Sequence, residues 1–211
     1  PFACRRIGLR LTASTMQARL AARDLACRRG ERLLFRGLSL TLERGEACHV
    51  TGANGIGKSS LLRMLAGLLR PFAGRVERTA AAGLLDDRSA LDRSLPLEEA
   101  LGFWAALDGG AAPLERLGLE HLRDVPVRYL STGQTKRAAL ARLIAQGAPI
   151  WLLDEPLNGL DASGVALVQA LLEEHLASGG LAVIASHQAL SLRAQMLDLA
   201  SHAPSPSRDG I

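Results

Sequence analysis

A glycine-rich segment carries the most specific chemistry in the sequence. It reads Gly52-Ala53-Asn54-Gly55-Ile56-Gly57-Lys58-Ser59 and is followed by Ser60. Glycines in such a loop let successive backbone N–H groups converge on phosphate oxygens at the start of a helix. The pattern predicts that Lys58 meets the β- and γ-phosphates of a nucleoside triphosphate and that the Ser59 hydroxyl coordinates Mg²⁺.

Two carboxylates and a histidine follow apolar runs further along the chain. Asp154 and Glu155 end the run Ile150–Leu153, and His187 comes just after the run Leu181–Ala185. The carboxyl ends of parallel strands form the ligand-binding edge of a sheet. We expect Asp154 to hold Mg²⁺ through water, Glu155 to polarise the attacking water and His187 to contact the γ-phosphate. Alone, an acidic pair is more often a helix cap, and a histidine a surface residue. Together with the upstream loop they favour phosphoryl transfer.

A second glycine-containing element, Leu130-Ser131-Thr132-Gly133-Gln134, lies between the phosphate loop and the acidic pair. This order suggests a nucleotide site that is completed by another copy of the chain. Lysine is scarce: of the 25 basic residues, only Lys58 and Lys136 are lysines. An ammonium is a compact point charge that enters a phosphate cradle more readily than a planar guanidinium. The lysine at position 58 therefore supports a phosphate-binding role for this loop.

Hydrophobic periodicity places these motifs on an α/β scaffold. Strand-like alternation over Arg19–Val50 predicts a short antiparallel layer before the loop, and short strands are expected within Arg75–Leu85. Helices alternating with fully apolar strands predict a mostly parallel sheet flanked by helices, with a small helical subdomain over about 86–145. The predicted helices are Ser59–Leu69, Leu97–Ala106, Leu114–Leu122, Thr135–Ala145 and Gly164–Leu176.

Length and composition indicate one main domain. The 211 residues are 48% hydrophobic, and we assign 16–200 to a single domain, 1–15 to an extraneous or disordered stretch and 201–211 to a disordered tail. Three cysteines without metal-ligand spacing fit reduced thiols in the cytoplasm. No apolar run reaches the roughly 20 residues that cross a bilayer, so any membrane role needs a partner.

Charge argues against a nucleic-acid partner. The net charge is +4, but Arg5, Arg6 and Arg10 supply three of these charges, so the rest of the chain carries one net positive charge. Aromatic residues make up only 3% of the sequence, too few for a stacking platform. We therefore expect no nucleic-acid binding.

The ordered motifs resemble those of ATP-binding cassette (ABC) ATPases, over nearly everything from Leu20 to about Leu199. The resemblance implies a P-loop NTPase of the ABC type that hydrolyses ATP with Mg²⁺, in a head-to-tail dimer with two ATP molecules at the interface. It also implies that Asp161 couples the two sites. The residues that would reach the ATP held by the other copy are Ser131, Thr132, Gly133 and Gln134.

Two positions differ from the pattern of that family. No glutamine occurs between Ser59 and Ser131, where such proteins carry one that senses magnesium, and Asp87 and Arg88 stand there as substitutes. Arg29 occupies the place of the aromatic residue that stacks on adenine. A guanidinium can also stack on a base.

Longer strings are similar to one branch, the haem exporter ATP-binding subunit of cytochrome c biogenesis, or CcmA family. They are Asp124–Gln134, Lys136–Leu143, Trp151–Pro156 and Ser186-His187-Gln188. This likeness implies an ATPase on the cytoplasmic side of the inner membrane, bound to permease subunits of the CcmB type with CcmC type. Two alternatives stay open: the ATPase subunit of another small ABC exporter, or a nontransport nucleotide-dependent assembly module.

Overall fold

The computed structural model describes residues 18–204, which form two sheets and four α-helices. Residues 1–15, predicted to be extraneous or disordered, lie outside the described part. The strands, in chain order, are β1 (Leu20–Arg29), β2 (Arg32–Leu42), β3 (Ala47–Thr51), β4 (Ala73–Arg78), β5 (Ala82–Leu85), β6 (Ile150–Asp154), β7 (Leu181–Ala185) and β8 (Gln195–Asp198).

The larger sheet has the order β5-β6-β7-β3-β8, and every neighbouring pair in it is parallel. The smaller sheet has the order β2-β1-β4 and is antiparallel. The predicted combination of a parallel sheet and an antiparallel layer is thus confirmed. Because β3, β6 and β7 are adjacent, the loops after these three strands meet at one edge of the parallel sheet.

The four helices are α1 (Lys58–Leu65), α2 (Leu97–Asp108), α3 (Thr132–Gln146) and α4 (Ala162–Ala177). α1 ends earlier than predicted because Gly67 adopts a left-handed φ of 79° just beyond it. α3 begins with a reciprocal capping box between Ser131 and Gln134. At the start of α4, Asp161 accepts a hydrogen bond from the Gly164 N–H at 2.8 Å.

Alternate residues of β6 face two different cores, as the two-residue period of a strand requires. Ile150 and Leu152 pack with α1 and the antiparallel layer. Trp151 and Leu153 pack with the apolar faces of α2, α3 and α4. The parallel sheet is therefore covered on both faces, which explains why β6 and β7 read as continuous apolar runs rather than as alternating ones.

The helix predicted over Leu114–Leu122 is wrong. Residues 114–118 form turns, Gly118 has a φ of 64°, and only Glu120–Leu122 forms a short 3-10 helix. Leu114, Leu117 and Leu119 are nevertheless buried. Their apolar spacing therefore arises from a buried turn and not from one face of a helix.

The end of the domain also differs from the prediction. Ser201 and His202, placed in the disordered tail, lie in a 3-10 helix over Leu199–His202 that is capped by Asp198. Residues 205–211 lie outside the described part. Over residues 18–204 no helix has both the length and the apolar character that a membrane span requires.

Candidate functional site

The phosphate loop joins β3 to α1. Gly52, Gly55 and Gly57 have φ angles of 136°, 78° and 123°, in the region that L side chains rarely adopt. A Cβ on Gly57 would also lie 3.1 Å from the Phe35 ring. Lys58 is 7% exposed and its ammonium donates to the Gly52 carbonyl at 2.8 Å. The Lys58 side chain is thus held in place by the backbone of the loop.

A pocket of about 530 Å³ lies over the loop and contains most of the predicted nucleotide residues. Arg29, the predicted substitute for the aromatic residue that stacks on adenine, lines this pocket. Arg32 and Leu34, which the sequence analysis did not select, line it as well. The predicted residues among its lining are Asn54, Gly55, Gly57, Lys58, Ser59, Ser60, Asp154 and Glu155. Three predicted residues of the loop, Gly52, Ala53 and Ile56, do not line the pocket.

The two predicted magnesium ligands, Ser59 and Asp154, line the same pocket, and Asp154 is only 8% exposed. Burial raises the pKa of Asp154, the Ser59 hydroxyl opposes the shift, and the neighbouring Glu155 carboxylate adds to it. A bound cation would relieve this crowding of negative charge. One hydroxyl and one carboxylate suit Mg²⁺, which keeps several waters and takes phosphate oxygens.

Among residues 18–204 there is no cluster of three or more His, Cys, Asp or Glu side chains that could hold a metal ion.

Glu155 is the centre of the site. One carboxylate oxygen lies 3.0 Å from His187 Nδ1, and the other lies 3.8 Å from Lys58 Nζ. Its backbone φ of 47° is left-handed, which costs a non-glycine residue about 1–3 kcal/mol. The structure thus brings together Lys58, Asp154, Glu155 and His187 from three separate sequence segments.

Lys136 is a site residue that the sequence analysis did not place. Its ammonium donates to the backbone carbonyl of Glu155 at 3.0 Å. It lines a groove of about 940 Å³ beside the catalytic edge. Asp87 and Arg88, the predicted substitutes for the missing glutamine, line the same groove, and Arg63 of α1 pairs with Asp86 at 3.0 Å.

The signature residues, which we define as Ser131–Gln134 of the second glycine-containing element, do not line the nucleotide pocket of their own chain. Ser131 and Gln134 cap α3, with Ser131 Oγ accepting from the Gln134 N–H at 3.2 Å. A Cβ on Gly133 would lie 3.1 Å from the Gly159 carbonyl oxygen, so the motif packs on the loop after Glu155. Thr132 lines the groove beside that loop, and Asp161 caps α4.

The phosphate loop, the acidic pair at the sheet edge and the separate signature helix define an ABC-type ATPase. Residues 35–158 match the ABC transporter family. Over 173 residues the chain is 63% identical to the "Cytochrome c biogenesis ATP-binding export protein CcmA" of Novosphingobium aromaticivorans, covering 82% of this chain and 91% of that protein. The chain belongs to the ABC transporter family, in its CcmA branch.

Two further comparisons agree. The protein of the same name from Zymomonas mobilis is 54% identical over 179 residues, covering 83% of this chain and 81% of the relative. The structure of cbiO1 from Clostridium perfringens, part of the ABC transporter complex cbiONQ, has a TM-score of 0.65 and 28% identity over 80% of this chain and 78% of that chain. The family resemblance expected from the sequence is confirmed.

Proposed function

We propose that this chain hydrolyses ATP to drive a membrane complex that exports or delivers haem for c-type cytochrome biogenesis. The observation that carries the ATPase part is the meeting of Lys58, Asp154, Glu155 and His187 at one sheet edge. The similarity to CcmA proteins carries the assignment to cytochrome c biogenesis. Haem itself would be handled by the membrane partners.

The contacts support a division of labour in phosphoryl transfer. Lys58 and the loop N–H groups would bind the β- and γ-phosphates, and Ser59 and Asp154 would hold Mg²⁺. Mg²⁺, when bound, neutralises charge that develops on the phosphate oxygens. Glu155 would accept a proton from the attacking water. His187, 3.0 Å from the Glu155 carboxylate, would orient that carboxylate and the water.

We further propose that two copies form a head-to-tail dimer. The signature residues Ser131–Gln134 do not line the nucleotide pocket of their own chain, so an opposing pocket is a natural partner. Asp161 lies three residues after Asn158, whose side-chain carbonyl accepts from the Gln188 amide at 3.2 Å. The short distance in sequence from Asp161 to this contact supports a coupling role for Asp161.

The remaining features of the proposal concern the complex. We assign the chain to the cytoplasmic face of the inner membrane as a peripheral subunit, bound to CcmB-type and CcmC-type permease subunits. The segment around 86–145, a helical subdomain in this proposal, carries the exposed side chains Phe103 and Leu107, which are 59% and 64% exposed. Such residues are suited to a protein partner.

A membrane pull-down with the tagged full chain under Mg-ATP tests the proposal, with bound proteins identified and haem measured. Lys58→Ala serves as the matched control. Recovery of CcmB-type and CcmC-type subunits with haem, together with ATP turnover by the isolated complex, is expected. A different permease without haem would assign the chain to another exporter. Absence of both a permease and steady turnover would instead indicate a nontransport assembly module and overturn the proposal.

A further inference from the structure

The backbone of Glu155 is held in a conformation that needs outside support. Its φ of 47° is left-handed, and within residues 18–204 the only other non-glycine residue with positive φ is Asp24. Strained conformations of this kind persist when surrounding contacts determine them. The contacts to the Glu155 backbone therefore decide where its carboxylate points.

Three hydrogen bonds hold this backbone. The Glu155 N–H donates to the Ala185 carbonyl at 2.8 Å, which ties it to the end of β7. The Glu155 carbonyl accepts from the Asn158 N–H at 3.3 Å, within its own turn. The same carbonyl accepts from Lys136 Nζ at 3.0 Å. Only this third bond comes from a side chain, and only this one comes from a helix outside the catalytic loop.

The position of Lys136 favours a dedicated contact over a solvated surface charge. The side chain is partly buried, and burial lowers the pKa of the amine, whereas the carboxylates of Asp154, Asp87 and Glu155 oppose the shift. A bond from a cation to a carbonyl is stronger than one between neutral groups. The ammonium is thus held between an acidic groove and the one carbonyl that it contacts.

Lys136 belongs to α3, the helix that starts at the signature motif. At the start of α3, Gly133 packs against Gly159. Thr132 is also close to Gly159, because a Cβ added to Gly159 would lie 2.9 Å from the Thr132 methyl group. One turn later, Lys136 reaches Glu155. The helix therefore touches the catalytic loop at two points, on either side of Asn158. A shift of α3 along or away from the loop would change both contacts together.

We propose that Lys136 is a positioning residue that couples the seating of the signature helix to the conformation of Glu155 in the same chain. This rests on the proposed ATPase function and on Glu155 as its base. When α3 is seated on the loop, Lys136 fixes the Glu155 carbonyl and so directs the carboxylate towards His187 and the phosphate site. When α3 is displaced, the carbonyl loses this donor and the carboxylate loses its orientation.

Lys136→Met tests the coupling, because methionine keeps the length of the side chain and removes the donor. With the full chain bound to its membrane partner, we expect turnover to fall about 10- to 100-fold while the Kd for ATP changes less than about twofold. Lys136→Arg, whose guanidinium can donate to the same carbonyl, should recover most of the loss. Arg142→Met is the matched control, because Arg142 lies on the same helix and its guanidinium lies 3.7 Å from the centre of the Trp104 ring.

A double-mutant cycle separates positioning from general damage. If Lys136 acts through Glu155, adding Lys136→Met to Glu155→Gln should lower the residual turnover less than about twofold. Additive losses, or full turnover of Lys136→Met, would overturn the proposal. Should Lys136→Met fail to fold by thermal melting, Lys136→Leu, which also lacks a donor, enters the same cycle. A wild-type complex without turnover would instead refute the proposed function, and the coupling with it.

Discussion

Replacing Glu155 with glutamine separates ATP binding from hydrolysis most cleanly. The amide keeps the shape of the side chain but can no longer accept a proton from water. Removing a general base costs about 10²- to 10⁴-fold in rate. At about 1.4 kcal/mol for each factor of ten, this equals roughly 3–5 kcal/mol of transition-state stabilisation. We therefore expect turnover to fall at least about 100-fold.

The contacts of Glu155 indicate that ATP affinity will not fall in parallel. One carboxylate oxygen lies 3.8 Å from Lys58 Nζ, at which distance two unit charges attract by about 4 kcal/mol at an effective dielectric constant of 20. The same ammonium must turn to the phosphates when ATP binds. Glutamine removes this competing anion, so the Kd for ATP should stay equal or decrease, and ATP-bound dimers should accumulate.

The assay pairs phosphate release by the membrane complex with equilibrium binding of a fluorescent ATP analogue and size-exclusion chromatography. Glu173→Gln is the control, because Glu173 is exposed on α4, away from the site. Turnover above half that of the wild type would refute the role of Glu155 as the base. A large loss of ATP binding would refute the electrostatic reasoning instead.

Three other substitutions test the rest of the structure. Lys58→Ala should weaken ATP binding itself, at least tenfold by titration, because the buried ammonium at the loop is lost; unchanged affinity would contradict this. Gly74→Ala should lower the melting temperature by several degrees or prevent folding, because φ is 80° and a Cβ would lie 2.3 Å from the Arg23 carbonyl oxygen; an unchanged melting curve would count against that packing. Burial lowers the pKa of His175, which stacks on Trp151. The unfolded state therefore binds more protons as the pH falls below about 6.5, and the free energy of unfolding should decrease there. In urea titrations at pH 7.5 and 5.5, His175→Phe should show a smaller decrease than the wild type, and an equal one would exclude His175 as the source.

The sequence predicts the parts of the fold and site that depend on local pattern. The glycine spacing predicts the phosphate loop. The position of Asp154 and Glu155 directly after an apolar run predicts that they lie at the edge of the sheet. Their meeting with His187 follows from the rule that parallel strands end at one edge. The prediction of a helix over Leu114–Leu122 is wrong because apolar spacing indicates which residues are buried and not which backbone buries them. A turn ending at Gly118 buries its leucines as well as a helix would.

What the sequence does not reveal depends on contacts between distant segments. Nothing local to Arg32 marks it as a lining residue of the nucleotide pocket, because that depends on the turn between β1 and β2 lying over the loop. The short strand β8 could not be predicted from the sequence either, since Gln195–Asp198 carries only one buried residue, Leu197. This segment forms a strand because it pairs with β3.

The scarcity of lysine is a property of the whole composition that indicates the site. Of the 25 basic residues only two are lysines, and both place their ammonium groups at Glu155: Lys58 lies 3.8 Å from its carboxylate and Lys136 3.0 Å from its carbonyl. The phosphate-loop pattern explains the first lysine, whereas no sequence motif explains the second. Each ammonium also donates to a backbone carbonyl, Lys58 to that of Gly52 at 2.8 Å and Lys136 to that of Glu155. The two lysines of the composition therefore converge on Glu155, a residue whose backbone is held in a left-handed conformation.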